Sequence, residues 1–205
     1  MLQRLPVENI AHGSSQGKRL LIGTNRDESA LFLGPHPARD PGAGDLGNMN
    51  VAAFQEVFRH YAQIYPEMTD EQLRIRAATA EEYWIPSMRV VDAHVAGGGS
   101  AWMYRLDFTE SSGRLKGYAY HSLDTGLVWD KPHTAVTNAG AEAALARTMH
   151  AAWSSFIGGE APNATGLPPW PAYRRDTRPT MLLNSESTVQ FKPQEAELRL
   201  WSGML

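Results

Sequence analysis

Apolar positions along this chain follow two different periods. Leu20-Leu21-Ile22 form a continuous apolar run between Lys18-Arg19 and Gly23-Thr24-Asn25. Such a run predicts a short strand with both faces covered. Arg26-Asp27-Glu28-Ser29 follows at its carboxyl end. From Asn50 the period changes: Val51, Phe54, Val57, Phe58, Tyr61 and Ile64 recur every three or four residues, the stripe of an amphipathic helix. Thr69 with Gln72 predicts a capping box opening a second helix through Leu73, Ile75 and Ala78 towards Tyr83. Pro86 is expected to interrupt it, and a third helix to run from Ser87 to about Ala96 before Gly97-Gly98-Gly99. Ala101 to Phe108 reads as an aromatic-rich strand, Ala139 to Ile157 as a long helix, Thr180–Leu183 and Thr188–Phe191 as paired strands, and Pro193 to Ser202 as an amphipathic helix. Met1 to Gly17 is mixed and polar, and Pro and Gly punctuate a loop from Gly34 to Met49. Strands alternating with helices predict an α/β fold. No linker divides residues 1–205, so one domain, or part of one, is expected.

Composition removes several functions. The 205 residues carry 19 Lys+Arg against 22 Asp+Glu, a formal charge of -3. That balance leaves no electrostatic footprint for nucleic acid or an anionic membrane. There is no cysteine, hence no disulfide, thiolate metal site or Cys nucleophile, which fits a bacterial cytoplasmic enzyme. No stretch reaches ~18 consecutive apolar residues, so no membrane span is expected. Met1 to Ile10 has no signal-peptide core.

The commonest catalytic patterns are then tested. Gly13-Ser14-Ser15-Gln16-Gly17 satisfies G-x-S-x-G in letters. A nucleophile elbow needs a strand before the serine and a helix after it. Here a polar segment precedes and a strand follows, so a surface loop is expected. The seven histidines, His12, His36, His60, His94, His121, His133 and His150, include no helical i, i+4 metal pair, and no metal is expected. No phosphate loop, dinucleotide fingerprint or EF-hand pattern occurs, so no cofactor is expected. Asp27-Glu28 admits two readings: a solvated turn, or a strand-end carboxylate that orients a histidine.

Several segments together resemble the type-B carboxylesterases, the family of para-nitrobenzyl esterases and cholinesterases. Leu21-Ile22-Gly23-Thr24-Asn25-Arg26-Asp27-Glu28-Ser29 resembles the segment carrying the catalytic acid. Gly117-Tyr118-Ala119-Tyr120-His121-Ser122-Leu123-Asp124 resembles the catalytic-histidine segment, and Trp102 to Phe108 the strand before it. Trp153, Phe156, Pro162-Asn163 and Pro169-Trp170-Pro171-Ala172-Tyr173 resemble the closing region. The motifs occur in the family's order and cover the chain from about Lys18 onward.

The resemblance implies an α/β-hydrolase with a Ser-Glu-His triad acting on esters. Glu28 would be the acid and His121 the base. Asp27 is then the neighbour of the acid, and Asp124 a residue of the surrounding shell. Leu31 and Phe32, and Leu123 after the histidine, match substrate-pocket positions that are aromatic in cholinesterases; leucines at two of them imply small neutral esters. No serine here matches the family's nucleophile. The segment before Glu28 is too short for the βαβ units, each about 30 residues or more, that carry it. The expectation is therefore the C-terminal portion of an α/β-hydrolase domain, inactive alone and needing an N-terminal half in cis or trans. Two alternatives remain: a non-catalytic interaction module, or one half of a split esterase.

Overall fold

A computed structural model of the chain describes residues 4–33, 51–131 and 139–202. The expected loop from Gly34 to Met49, with His36, and His133 lie outside the described residues. Strands β1 (Arg19–Asn25), β2 (Ser100–Leu106), β3 (Pro179–Leu183) and β4 (Thr188–Phe191) form a sheet in that order. β1 and β2 pair in parallel from Arg19 opposite Ser100 to Asn25 opposite Leu106. β2 and β3 are parallel, and β3 and β4 antiparallel. Parallel neighbours need crossover connections, which the helices supply.

β1 departs from the expectation of two covered faces. Residues 19–23 are half-buried, and only Thr24 and Asn25 are fully buried. β1 stands at the sheet edge, paired on one side only among the described residues. Gly23 is required where it stands: a Cβ would collide with the ring and carbonyl of Tyr104, its partner on β2.

Helices were legible in the sequence where the 3.6-residue period was strong. α1 (Pro6–Asn9) is followed by a π-helical turn at Ile10–Ser14, in a segment read as mixed and polar. Pro6 in its first turn and the Glu8 carboxylate on the Leu5 N–H, at 3.0 Å, start it. α2 spans Val51–Ile64 and α3 Asp70–Thr79. The capping box forms in both directions: the Gln72 N–H donates to Thr69 Oγ1 at 3.3 Å and the Thr69 N–H to Gln72 Oε1 at 2.8 Å. Pro86 does not break the path. A π-helical turn at Ala80–Trp84 leads directly into α4 (Ile85–Ala96), and Pro86 sits in its first turn. There its missing N–H sacrifices less than in a helix interior. α5 (Leu123–Val128) is short and had no sequence signal; α6 (Ala139–Ile157) and α7 (Glu195–Leu200) match expectation. No helix among the described residues is long and apolar enough to cross a membrane.

Helices cover both sheet faces. Ala101 and Met103 of β2 join Val57 and Tyr61 of α2, Leu73 of α3, Val91 of α4 and Trp201 in one core cluster. Trp102, Tyr104 and Leu106 point the other way and join Leu127 of α5 and Met149 of α6. That is the two-residue alternation of a strand between two layers.

One buried polar network ties α7 to α2 and α3. Glu197 is fully buried, and Arg76 Nη2 lies 2.9 Å from its Oε2. The hydroxyls of Tyr61 and Tyr65 donate to the same carboxylate at 2.9 and 2.6 Å, and Trp201 Nε1 donates to the Tyr61 hydroxyl at 2.7 Å. Burial and then the Glu197 charge push the Tyr65 phenol up to about 12. Burial opposes the Arg76 charge, but Glu197 outweighs it and holds the guanidinium above its usual range. Removing one partner of such a pair strands a buried charge. Glu197→Ala is therefore expected to cost about 3–5 kcal/mol of stability, read from urea denaturation midpoints. A loss under about 1 kcal/mol, the scale of an exposed pair, would contradict this role.

Candidate active site

The site is built where β1 and β2 end. Beyond the last ladder pair, the Arg26 N–H donates to the Leu106 carbonyl at 2.9 Å and the Asp27 N–H to the Ala119 carbonyl at 2.9 Å. Asp27 Oδ2 accepts the Ala119 N–H at 3.0 Å, and the His121 N–H reaches the Glu28 carbonyl at 3.3 Å. The segment around Glu28 thus holds the loop of His121 by main-chain bonds and the Asp27 carboxylate, before the Glu28 and His121 side chains meet. Glu28 opens a 3₁₀ turn, Glu28–Leu31. Ser122, after His121, has φ 69°, a left-handed conformation that turns the chain sharply into α5.

In this frame Glu28 Oε2 lies 2.8 Å from His121 Nδ1, although the residues are 93 positions apart. The other oxygen, Oε1, accepts the Asn25 N–H at 2.7 Å. Glu28 is buried, whereas the His121 side chain is 38% exposed. Burial raises the Glu28 carboxyl above its usual range, and the nearby Asp124 charge adds to this; the Asn25 N–H and His121 act in the opposite direction. With the carboxylate accepting Nδ1–H, the lone pair of the imidazole is on Nε2. Among the described residues, Glu28 is the hydrogen-bonding partner found for this ring.

Asp27 is placed elsewhere. Its carboxylate takes the Arg26 guanidinium, Nε to Oδ2 at 2.9 Å, and the Ala119 N–H. Asp124 is one step removed from Glu28. Its Oδ1 accepts Asn25 Nδ2 at 3.3 Å, and its Oδ2 accepts the Tyr104 hydroxyl at 3.0 Å. Burial and then Asp124 hold the Tyr104 phenol well above its ordinary range, so it remains a donor. The Tyr104 ring packs edge-on to Trp153, with centroids 5.0 Å apart. The aromatic segment around Trp153 is thereby linked through Tyr104, Asp124 and Asn25 to Glu28.

Two rings flank the imidazole. The Phe32 centroid is 5.3 Å and the Tyr83 centroid 5.4 Å from that of His121. Phe32 is 59% exposed. Leu31 is half-buried beside it, whereas Leu123 is buried in the core with Leu106 and Leu127. Tyr83 lies in the π-helical turn and had no sequence signal: its place depends on how that turn packs. Asn25 and Tyr104 sat inside recognisable motifs but read as strand residues, because their bonds run to other segments.

Among the described residues, no group of three His, Asp or Glu side chains could hold a metal ion. Gly13 to Gly17 starts inside the π-helical turn Ile10–Ser14 and precedes β1, so the strand–serine–helix order of a nucleophile elbow is not present there.

A sequence model of the carboxylesterase family matches residues 1–201. The para-nitrobenzyl esterase of Bacillus subtilis (strain 168) is 29% identical over 196 residues, covering 92% of this chain and 39% of that protein. The crystal structure of a Geobacillus stearothermophilus carboxylesterase at pH 6.2 matches with a TM-score of 0.78 and 28% identity, over 97% of this chain and 43% of that one. A solved PNB esterase matches with a TM-score of 0.75 and 27% identity, over 97% and 41% of the two chains. The chain thus spans well under half the length of these relatives, whose α/β-hydrolase architecture it shares in part. With the family match running over nearly its whole length, this chain belongs to the carboxylesterase family.

Proposed function

We propose that Glu28 and His121 are the acid and base of a Ser-Glu-His triad that hydrolyses small neutral carboxylic esters. The observation that carries this is the 2.8 Å contact between Glu28 Oε2 and His121 Nδ1, which leaves Nε2 for the reacting serine. The serine would come from a segment outside these 205 residues, which we take to be the C-terminal portion of one esterase domain. Ser29 is close in sequence, but it is fully buried and its hydroxyl faces Glu82 at 3.4 Å.

His121 Nε2 takes the serine proton as Oγ attacks the ester carbonyl, then returns a proton to the leaving alcohol. Glu28 holds Nδ1–H throughout and stabilises the imidazolium. Asn25 steadies the carboxylate through its N–H and connects it to Asp124 and Tyr104. Phe32 and Tyr83 give apolar walls beside the imidazole, and Leu31 carries no ring. These surroundings suit an uncharged acyl or alcohol group. A hydrogen-bonded acid and base favour an enzyme over an interaction module, which needs neither.

The test is hydrolysis of p-nitrophenyl acetate. The isolated chain is expected to show no turnover that depends on His121. Mixed or fused with a serine-bearing N-terminal segment of a para-nitrobenzyl esterase, it is expected to turn over. In that complex His121→Ala and Glu28→Gln are each expected to lower kcat by about 10⁴-fold. A His121-dependent steady-state rate from the isolated chain would refute the external serine. Full activity of the complex carrying Glu28→Gln would refute the assigned acid. Neutral aryl esters are expected to give higher kcat/KM than choline esters in the same complex.

A further inference from the structure

A serine–histidine pair lies at the opposite end of β1 from Glu28. Ser15 Oγ is 2.7 Å from His94 Nδ1. The other ring nitrogen, Nε2, is 3.2 Å from the Ser100 carbonyl. A carbonyl only accepts, so Nε2 carries the proton and Nδ1 presents its lone pair to the serine hydroxyl. The pair is separated from Glu28 by the length of β1, about 20 Å for seven residues.

The fold provides for this contact. Gly99 leaves room for the ring, since a Cβ there would collide with His94. A Cβ at Gly97 would collide with the Ile10 carbonyl, so that glycine lets the π-helical turn before Ser15 press against the end of α4. Gly13, at φ 93°, turns the chain towards Ser15. His94 is buried in the last turn of α4, and Ser15 is half-exposed. The half-exposed serine thus rests its hydroxyl on a buried base.

We infer that Ser15 is a second nucleophile, with His94 as its base, that accepts an acyl group from small activated aryl esters. The Ser15 O–H proton passes to His94 Nδ1 as Oγ forms its bond to the acyl carbon. The aryl–oxygen bond to that carbon breaks, its electron pair leaves with the phenolate, and His94 then gives the proton to solvent. Deacylation would have to expel a serine alkoxide in place of a stabilised phenolate, and no oxyanion hole is assembled among the described residues, so the acyl-serine accumulates and there is no rapid turnover.

The experiment uses the full chain with p-nitrophenyl acetate. One equivalent of p-nitrophenolate is expected in a burst, with one acetyl group mapped to Ser15 by peptide mass spectrometry. Ser15→Ala is expected to remove both, and Ser14→Ala, at the exposed neighbouring serine, to keep both. His94→Asn is expected to slow acetylation of Ser15 at least about 100-fold, the scale of general-base assistance. An acetyl group on Ser14 or a lysine instead, no acetylation at all, or an unchanged Ser15 rate in His94→Asn would overturn the assignment.

Discussion

The parallel pairing of β1 with β2 is the constraint on which the rest depends. Its register brings Asn25 level with Leu106, and the main-chain bonds beyond the ladder carry the alignment on to Ala119 and His121. A carboxylate and an imidazole 93 residues apart then meet at 2.8 Å. A slip of one residue would reverse the faces of the strand and send Glu28 to the other side of the sheet. Gly23 belongs to the same constraint: β1 can lie against Tyr104 only without a side chain there, and Tyr104 supports Asp124. Close packing and the Glu28–His121 contact therefore share one strand pair.

Two buried carboxylates show how environment assigns roles. Glu197 sits among Arg76, Tyr61 and Tyr65, and its charge is fully met by donors. Such a group holds parts together. Glu28 has one backbone N–H and one imidazole, and burial raises its carboxyl. A carboxylate balanced in this way can respond when its histidine gains charge. The two are mechanically joined, because Arg76 Nη1 reaches the Arg26 carbonyl at 3.4 Å, between Glu197 and the end of β1. Docking α7 therefore steadies the strand end from which Glu28 projects.

His121 and His94 stand in different surroundings. His121 has a carboxylate on Nδ1, so the developing positive charge is met by a full negative charge. His94 has a backbone carbonyl on Nε2 and a helix end, which supply only partial charges. The first arrangement suits repeated proton transfer. The second suits a single transfer to a base already committed to holding the end of α4 against Ser15.

The α/β alternation, most helix positions and the capping box at Thr69 were legible in the residues alone, because local periodicity and short motifs encode these, whereas Glu28 and His121 were singled out only through the resemblance to type-B carboxylesterases. The sequence also excluded thiol chemistry, through the absence of cysteine. It took the three-dimensional arrangement to show that β1 pairs on one side only among the described residues, that the helix continues past Pro86 through a π turn, and that Leu123 is buried while Phe32 is exposed. That arrangement alone brought Tyr83 to the imidazole, joined Asp124 to Glu28 through Asn25, and gave Ser15 a histidine partner. Those facts depend on side chains from distant segments meeting in space, and neither hydrophobic period nor residue spacing records such encounters.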